Sequence, residues 1–451
     1  MKIKDISNKL CDLMYRQTFF MVVAMVSLLS SCGDEDDFRV TDDGDDGDTW
    51  TVKYSKDGSS GYATQLLQHS VGSVGFPIVI MADGYTQSEI DNGIYGSAVD
   101  KAVDALFGIE PMTSLKPYCD VYEVVFASNV SGITTRQRDT AFKTYHKSTS
   151  DVEIYGDTAK IENCALQALR NSKTRFSNAL VIMLVNSNQY AGVTMMTGST
   201  SVKDSICVGY SISYVPVGCK ASDGKSYFTR TLQHEAIGHG IGKLDDEYYY
   251  TVSEPTDEYI DRCKKHYLYG MCLNVKYDNE TDNVRSDRYL VESEKYKLLV
   301  GEHDMQPGDV GYRLAQNPAY SSEALKWYQG ASTYLTHAGL SSETDSRYSA
   351  VYEVAKNFYR PTWTSLMNRV VTNEDLIFNA LSRFLIYARV MKVVQGTSIN
   401  IHNEEWYNRF VAFDNVSATY SSSAKAATGV LPYAAETLEL PPLASPHIML
   451  R

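Results

Sequence analysis

Two histidines, His234 and His239, bracket a glutamate, Glu235, in the segment QHEAIGHGIGKLDDEY. Zinc in proteins binds imidazole nitrogens and carboxylate oxygens, and a carboxylate beside the metal can act as a general base on water. In the usual His-Glu-x-x-His helix the histidines are four residues apart and share one face. Here they are five apart, so both histidines can bind one metal ion only if the helix is not regular.

Five residues advance a regular α-helix by about 500°, which leaves the two histidines about 140° apart. Two arrangements resolve this. In the one that we favour, a single-residue π-bulge, a distortion frequent at functional sites, brings both histidines to one face, and Gly238 lowers its steric cost. In the other, the helix stays regular and Glu235 and His239, four residues apart, bind the metal without His234.

A third protein ligand is expected from the acids that follow the helix. Gly240 and Gly242 would end the helix and turn the chain back toward the metal, and LDDEY then supplies three acids: Asp245, Asp246 and Glu247. Three protein ligands and one water make an open catalytic zinc site.

Two known motifs are similar to this segment. HEAIGH resembles the His-Glu-x-x-Gly-His motif of dipeptidyl peptidase III, in which both histidines bind zinc and the glutamate is the base. The longer pattern HE-GH-xG-L-DEY resembles the signature of the IgA-peptidase family of metzincin-like zinc metallopeptidases. Five residues after His239 match that signature: Gly242, Leu244, Asp246, Glu247 and Tyr248. The extra residue between Glu235 and His239 departs from its commonest form.

The family resemblance extends through MADGYT, NALVIMLVN and YRPTWTSLMNR, from about residue 62 to the C-terminus. It implies zinc, Zn2+, as the cofactor, with three ligands and a general base: His234, His239, Asp246 and Glu235. Asp245 is the alternative third ligand, because it lies six residues after the second histidine, as the third metzincin ligand does. Glu247 is the candidate for a structural role. Met367 resembles the methionine that forms a hydrophobic floor below a metzincin zinc.

The body of the chain alternates strands and helices. FPIVIMADGYT, CDVYEVVFAS and NALVIMLVNSNQY read as strands, and helical spacing follows or separates them at 87–108 and in TAKIENCALQALRNS. This order predicts an α/β fold, layered around a mixed, largely parallel sheet, with an active-site helix as in metzincins. The segment 373–396 predicts the most amphipathic helix of the chain.

The N-terminal residues predict export. Basic residues precede an apolar run, Thr18–Leu29, that is too short to span a bilayer, so residues 1–31 read as a signal peptide. LSSC resembles the lipobox of bacterial lipoproteins, which makes Cys32 a lipid anchor on the outer membrane or cell surface of a Gram-negative bacterium. Nine acids in residues 33–48 favour a solvated tether over 32–61. The peptidase domain then covers 62–451, with a long irregular insertion at about 251–350.

The net charge and the cysteine content limit which partners and which disulfides are possible. The net charge of −13 is too acidic and too diffuse for nucleic-acid binding, and the sequence does not indicate an oligomeric state. Six cysteines outside the signal and the anchor allow up to three disulfides in an exported chain. Sequence distance favours Cys207 with Cys219 and Cys263 with Cys272.

The leading hypothesis is an exported zinc endopeptidase that acts on extracellular proteins or peptides. The alternative is a non-catalytic surface lipoprotein that kept a degenerate protease scaffold to bind a protein or glycan. A third hypothesis is a zinc hydrolase that cleaves an amide in peptidoglycan or glycan. The family resemblance does not identify IgA as a substrate.

Overall fold

The structure is a computed structural model of the chain. The residues that it describes are 49–148, 152–173, 175–198, 206–220, 226–249, 270–277, 313–314, 317, 320, 328–329, 332–333, 358–360, 365–368, 370–372, 377–401, 403–414, 437–439 and 446–450. The predicted signal peptide, the anchor Cys32, the acidic stretch to residue 48 and most of the 251–350 insertion lie outside them.

An eight-stranded sheet forms the centre of the domain. In chain order its strands are β1 Thr49–Tyr54, β2 Ser59–Leu67, β3 Phe76–Asp83, β4 Cys119–Val125, β5 Leu180–Val185, β6 Val193–Gly198, β7 Ser211–Pro216 and β8 His447–Leu450. Their order across the sheet is β1-β2-β4-β3-β5-β7-β6-β8. The four pairings β4/β3, β3/β5, β5/β7 and β6/β8 are parallel, and the other three are antiparallel. The predicted mixed sheet is therefore confirmed.

The central strands are apolar because both of their faces are covered. Every residue of β3 and of β5 is buried, as expected for parallel strands between two helical layers. Each fully buried Val, Ile or Leu side chain contributes about 1.5–3 kcal/mol to folding. These two strands anchor the layers that position the site.

The helices are α1 Gln87–Asp91, α2 Ile94–Phe107, α3 Met112–Leu115, α4 Thr158–Ala168, α5 Phe228–Leu232, α6 Ala380–Gln395 and α7 Glu404–Phe413, and short 3₁₀ turns span Lys116–Tyr118 and Phe176–Asn178. A π-helix, Gln233–Ile241, continues α5. One face of the sheet packs against α2, α6 and this π-helix, and the other face packs against α4. The domain is thus layered as predicted.

Two helix predictions need correction. The segment 87–108 forms two helices because Gly93 adopts a left-handed φ of 75° between them. Helix α6 begins at Ala380, where Asn379 caps it through Ser382 N, and its side chains are buried on nearly every side. It is therefore a core helix, and the predicted amphipathic pattern is wrong.

The domain begins earlier than the sequence predicted. Strands β1 and β2 pair with each other and with β4, and residues Asp48–Arg451 form one compact unit. Trp50, Val52 and Tyr54 of β1 point into the core at alternate positions. Residues 49–61 consequently belong to the sheet rather than to a tether.

Short strand pairs complete the described part. They are Tyr145–His146 with Ile154–Tyr155, Tyr248–Tyr249 with Ser332–Thr333, Val370–Thr372 with Thr437–Glu439, and a three-stranded set of Lys276–Tyr277, Phe358–Arg360 and Tyr328–Gln329. Within the described residues, no helix is both long and apolar enough to cross a membrane.

The predicted disulfide between Cys207 and Cys219 is wrong. Cys219 is a buried thiol, and its Sγ atom lies 3.6 Å from the hydroxyl of Thr231. Cys263 lies outside the described residues, so its pairing with Cys272 stays a prediction.

Candidate metal centre

The site helix, Phe228–Ile241, changes from α to π geometry one residue before His234. In the π segment the Nε2 atoms of His234 and His239 lie 3.1 Å apart, and the two rings are nearly perpendicular, at 88°. The predicted bulge is therefore confirmed, and it extends over nine residues, Gln233–Ile241. The alternative with a regular helix is wrong.

Two glycines make room for this geometry. A Cβ atom at Gly238 would lie 2.3 Å from Sδ of Met367, and one at Gly242 would lie 2.6 Å from the carbonyl oxygen of Gly238. The N–H of Gly242 closes a π-type bond of 2.8 Å to the carbonyl of Ile237. Gly240 lies inside the helix, so only Gly242 has the predicted place at its end.

Asp246 completes a buried group of three side chains. Its Oδ1 lies 3.1 Å from Nε2 of His234 and 3.4 Å from Nε2 of His239. Tetrahedral ligands at zinc–ligand distances of 2.0–2.1 Å lie about 3.3 Å from one another, so the three separations fit the edges of a zinc tetrahedron. Among the described residues, these three side chains form the group that could hold a metal ion.

The outer hydrogen bonds of the histidines fix which nitrogen can bind a metal. Nδ1 of His234 lies 3.0 Å from the carbonyl oxygen of Leu366, and Nδ1 of His239 lies 2.8 Å from that of Leu244. A carbonyl oxygen only accepts, so each Nδ1 carries a proton, and Nε2 is the nitrogen whose lone pair can be directed inward to a metal. Oδ2 of Asp246 has no hydrogen-bond partner among the described residues. Lone pairs of Nε2 of His234, Nε2 of His239 and Oδ1 of Asp246 thus converge, which is an arrangement that fits a cation.

The electrostatics of the group also favour positive charge. Burial opposes ionisation of Asp246, but its hydrogen bonds and charge interactions with the two histidines lower its pKa to about 2. Burial disfavours protonated His239, yet the hydrogen bond and charge of Asp246 raise its pKa to about 9. The pocket therefore holds either a proton on His239 or a cation in its place.

Glu235 lies beside this group and is fully buried. Burial raises the pKa of its carboxyl group, and the nearby histidines and the Thr194 hydroxyl offset that effect only in part. Oε2 accepts a hydrogen bond of 2.7 Å from Thr194, whereas Oε1 has no partner among the described residues. Oε1 is thus the oxygen that can accept a proton from a bound molecule.

Asp245 does not join the group. Its Oδ1 accepts a hydrogen bond of 3.0 Å from the backbone N–H of Asp246. Asn274 binds both the N–H and the carbonyl of Asp245, at 2.8 and 2.9 Å. Asp245 therefore shapes the turn that presents Asp246.

Glu247 connects three loops below the site. Its carboxylate accepts hydrogen bonds from Ser365, from Asn379 at 2.8 Å and from Asn274 at 3.3 Å. Its N–H binds the carbonyl of Met367 at 2.8 Å. The buried Met367 side chain packs against Gly238, in the helical segment that carries both histidines.

Two residues that contribute to the site were not identified from the sequence. Lys243 turns the chain after the helix with a left-handed φ of 47°, and its buried amine binds the Tyr210 carbonyl and the Ser211 hydroxyl. Burial lowers the pKa of Lys243 to about 7. Thr194 lies about forty residues before Glu235, and no local pattern links the two.

A layered α/β domain that holds a buried His-His-Asp group and a glutamate on one helix has the architecture of a metallopeptidase. Residues 66–266 match the family described as IgA Peptidase M64. The match includes the site helix and Asp246, and it supports membership of this family. No curated protein matches the chain.

Proposed function

We propose that the chain is an exported, zinc-dependent endopeptidase that cleaves extracellular proteins or peptides. The observation that carries this proposal is the convergence of three inward-facing ligand atoms, from His234, His239 and Asp246. Beside them lies Oε1 of Glu235, which has no hydrogen-bond partner within the described part of the chain. Family membership supports peptide bonds as the target.

In this proposal His234, His239 and Asp246 hold the metal, and the carbonyls of Leu366 and Leu244 orient the two rings. Zinc, when bound, supplies a Lewis acid that acidifies water toward a pKa of about 7 and polarises a peptide carbonyl. Three ligands from the chain leave one position open for this chemistry.

Glu235 moves the proton. Oε1 accepts it from the attacking water and returns it to the amine that leaves, so the carboxylate is restored at the end of the cycle. The raised pKa of the buried carboxyl suits this role, because it makes the carboxylate a stronger base than an exposed glutamate.

A surface binding protein on a degenerate scaffold would have no use for this arrangement. Burial of a carboxylate with one oxygen left without a partner is unfavourable, and a binding function does not compensate for it. The observation therefore favours the enzyme over the binding lipoprotein.

The Glu235→Gln variant tests the proposal. We expect it to bind one zinc per chain and to lose about 10²–10⁴-fold in kcat/KM, measured on a fluorogenic peptide library with mass spectrometry of the products. Internal cleavage would show an endopeptidase. Glu123→Gln, the same change on strand β4, is the matched control and should keep full activity. A Glu235→Gln protein as active as the wild type would overturn the assignment.

The location is part of the proposal and rests on the N-terminal pattern. A signal peptide over 1–31 and a lipidated Cys32 would anchor the domain through its acidic tether. Metabolic labelling with a radioactive fatty acid should mark the wild type and leave Cys32→Ala unlabelled. Equal labelling of both would exclude this anchor.

A further inference from the structure

Glu235, the general base of the proposed reaction, is hydrogen-bonded by side chains of the central sheet. Thr194 of β6 and Ser213 of β7 are neighbours in the antiparallel register, and both side chains are fully buried below the site helix. The Thr194 hydroxyl lies 2.7 Å from Oε2 of Glu235, 2.9 Å from its carbonyl oxygen and 2.9 Å from the Ser213 hydroxyl.

The donors in this group can be assigned from their chemistry. An ionised carboxylate and a backbone carbonyl only accept, so the two hydroxyl protons must serve them. Ser213 Oγ lies 3.2 Å from the Glu235 carbonyl and donates there. Thr194 then donates to Oε2, at the shorter distance of 2.7 Å. A hydroxyl that donates to a carboxylate makes one of the stronger hydrogen bonds in a protein.

The segment before β6 limits the carboxylate on another side. A Cβ atom at Gly192 would lie 3.0 Å from Oε1 and 3.1 Å from Cγ of Glu235. The backbone of Gly192 therefore packs directly against this side chain, while Thr194 binds its other oxygen. Thr194 and Gly192 thus limit how the carboxylate can turn, and Oε1 has no hydrogen-bond partner in the described residues.

We propose that Thr194 is a positioning residue for Glu235. Its hydroxyl binds Oε2 and sets the plane of the carboxylate, so that Oε1 faces the water that attacks the substrate. This inference rests on the proposed function, in which Glu235 is the base. A displacement of about 1 Å at a catalytic group can reduce a rate by about 10²-fold, so loss of this one bond should affect turnover strongly.

Three variants test the proposal in the zinc-loaded full chain. Thr194→Val removes the hydroxyl, and Thr194→Ser keeps it. Ser213→Ala removes the neighbouring hydroxyl, which donates to the backbone carbonyl of Glu235 and lies 2.9 Å from the Thr194 hydroxyl. We expect Thr194→Val to lower kcat by about 10–100-fold with KM and zinc content unchanged. Thr194→Ser and Ser213→Ala should stay within about threefold of the wild type.

A second readout needs neither metal nor activity. In the zinc-free protein, Thr194→Val should raise the unfolding equilibrium constant about tenfold when Glu235 is present and less than about threefold in the Glu235→Ala background, as measured by urea unfolding. Thr194→Ala replaces Thr194→Val in both experiments if the valine variant does not fold.

The outcomes separate the two proposals. An inactive wild type that binds zinc overturns the proposed function, and the unfolding comparison still decides whether Thr194 holds the carboxylate. An active wild type with Thr194→Val equal to Ser213→Ala overturns the positioning role. Loss of zinc in Thr194→Val, or equal defects in the valine and serine variants, also overturns it, because either result shows a structural effect of the side chain.

Discussion

Replacement of Glu247 distinguishes a structural acid from a metal ligand. Its carboxylate accepts hydrogen bonds from the buried side chains of Ser365 and Asn379, and a longer one from Asn274. Glu247→Ala leaves the first two donors without this acceptor, and each unpaired buried donor costs about 1–3 kcal/mol. We therefore expect the free energy of unfolding to fall by about 2–6 kcal/mol.

Glu247→Gln should have a smaller effect. The amide oxygen can still accept from Asn379, and the amide N–H can donate to the Ser365 hydroxyl, which reverses its role. We expect a loss of less than about 2 kcal/mol and one zinc per chain, because the metal ligands are not touched. The assay is urea unfolding followed by circular dichroism, with zinc measured on the same samples.

Two results would refute this reasoning. Loss of zinc from a folded Glu247→Gln protein would identify Glu247 as a ligand in place of Asp246. A Glu247→Ala protein within about 1 kcal/mol of the wild type would show that the three loops do not depend on this carboxylate.

Three further predictions follow from the buried groups around the site. Because the pKa of His239 is raised to about 9 without metal, its imidazole carries a proton at pH 7 that a metal must displace. Calorimetry in buffers of different ionisation enthalpy should show about one proton released on metal binding at pH 7, and fewer as the pH rises through about 9. No proton release at pH 7 would contradict this prediction. Gly238→Ala places a methyl group 2.3 Å from Sδ of Met367. Thermal unfolding should therefore show that the free energy of unfolding falls by about 1–3 kcal/mol, and zinc should bind more weakly. Unchanged stability and zinc affinity would show that the Met367 side chain can move away. Asp414→Ala removes the carboxylate that binds the buried guanidinium of Arg383 at 3.0 Å. The free energy of unfolding, measured in urea, should therefore fall by about 3–5 kcal/mol. An unchanged free energy would mean that the ion pair does not contribute to stability.

The fold class and the centre of the sheet could be predicted because they depend on local patterns. The continuous apolar runs of β3 and β5 identify strands with two covered faces, and helical spacing identified α4. The start of the domain could not be found this way. Strand β1 follows directly after an acidic stretch, and its pairing with β2 is a tertiary property.

Much of the site could also be predicted, because the two histidines and the glutamate are followed by helix-ending glycines and three acids, which are residue types that bind zinc. The third ligand needed the family resemblance, because Asp245, Asp246 and Glu247 are adjacent acids. Only the partners of each acid separate them: Asn274 and the turn for Asp245, the histidines for Asp246, and the loops below the site for Glu247.

Contacts between distant segments could not be predicted from the sequence. Thr194 binds Glu235 because β6 and β7 are paired below the helix, and nothing in the local sequence around Thr194 marks it. The sequence predicts that Gly240 and Gly242 turn the chain after the helix, whereas the residue with a left-handed φ there is Lys243. Tertiary contacts of its buried amine stabilise the lysine there instead.

Zinc content, measured by elemental analysis of the full chain and three variants, tests the central claim most directly. The site described here predicts about one zinc per chain in the wild type and in Asp245→Ala, and none in His239→Ala or Asp246→Ala. A wild type that stays free of zinc after zinc is supplied, or an Asp246→Ala protein that keeps a full equivalent, would contradict the account.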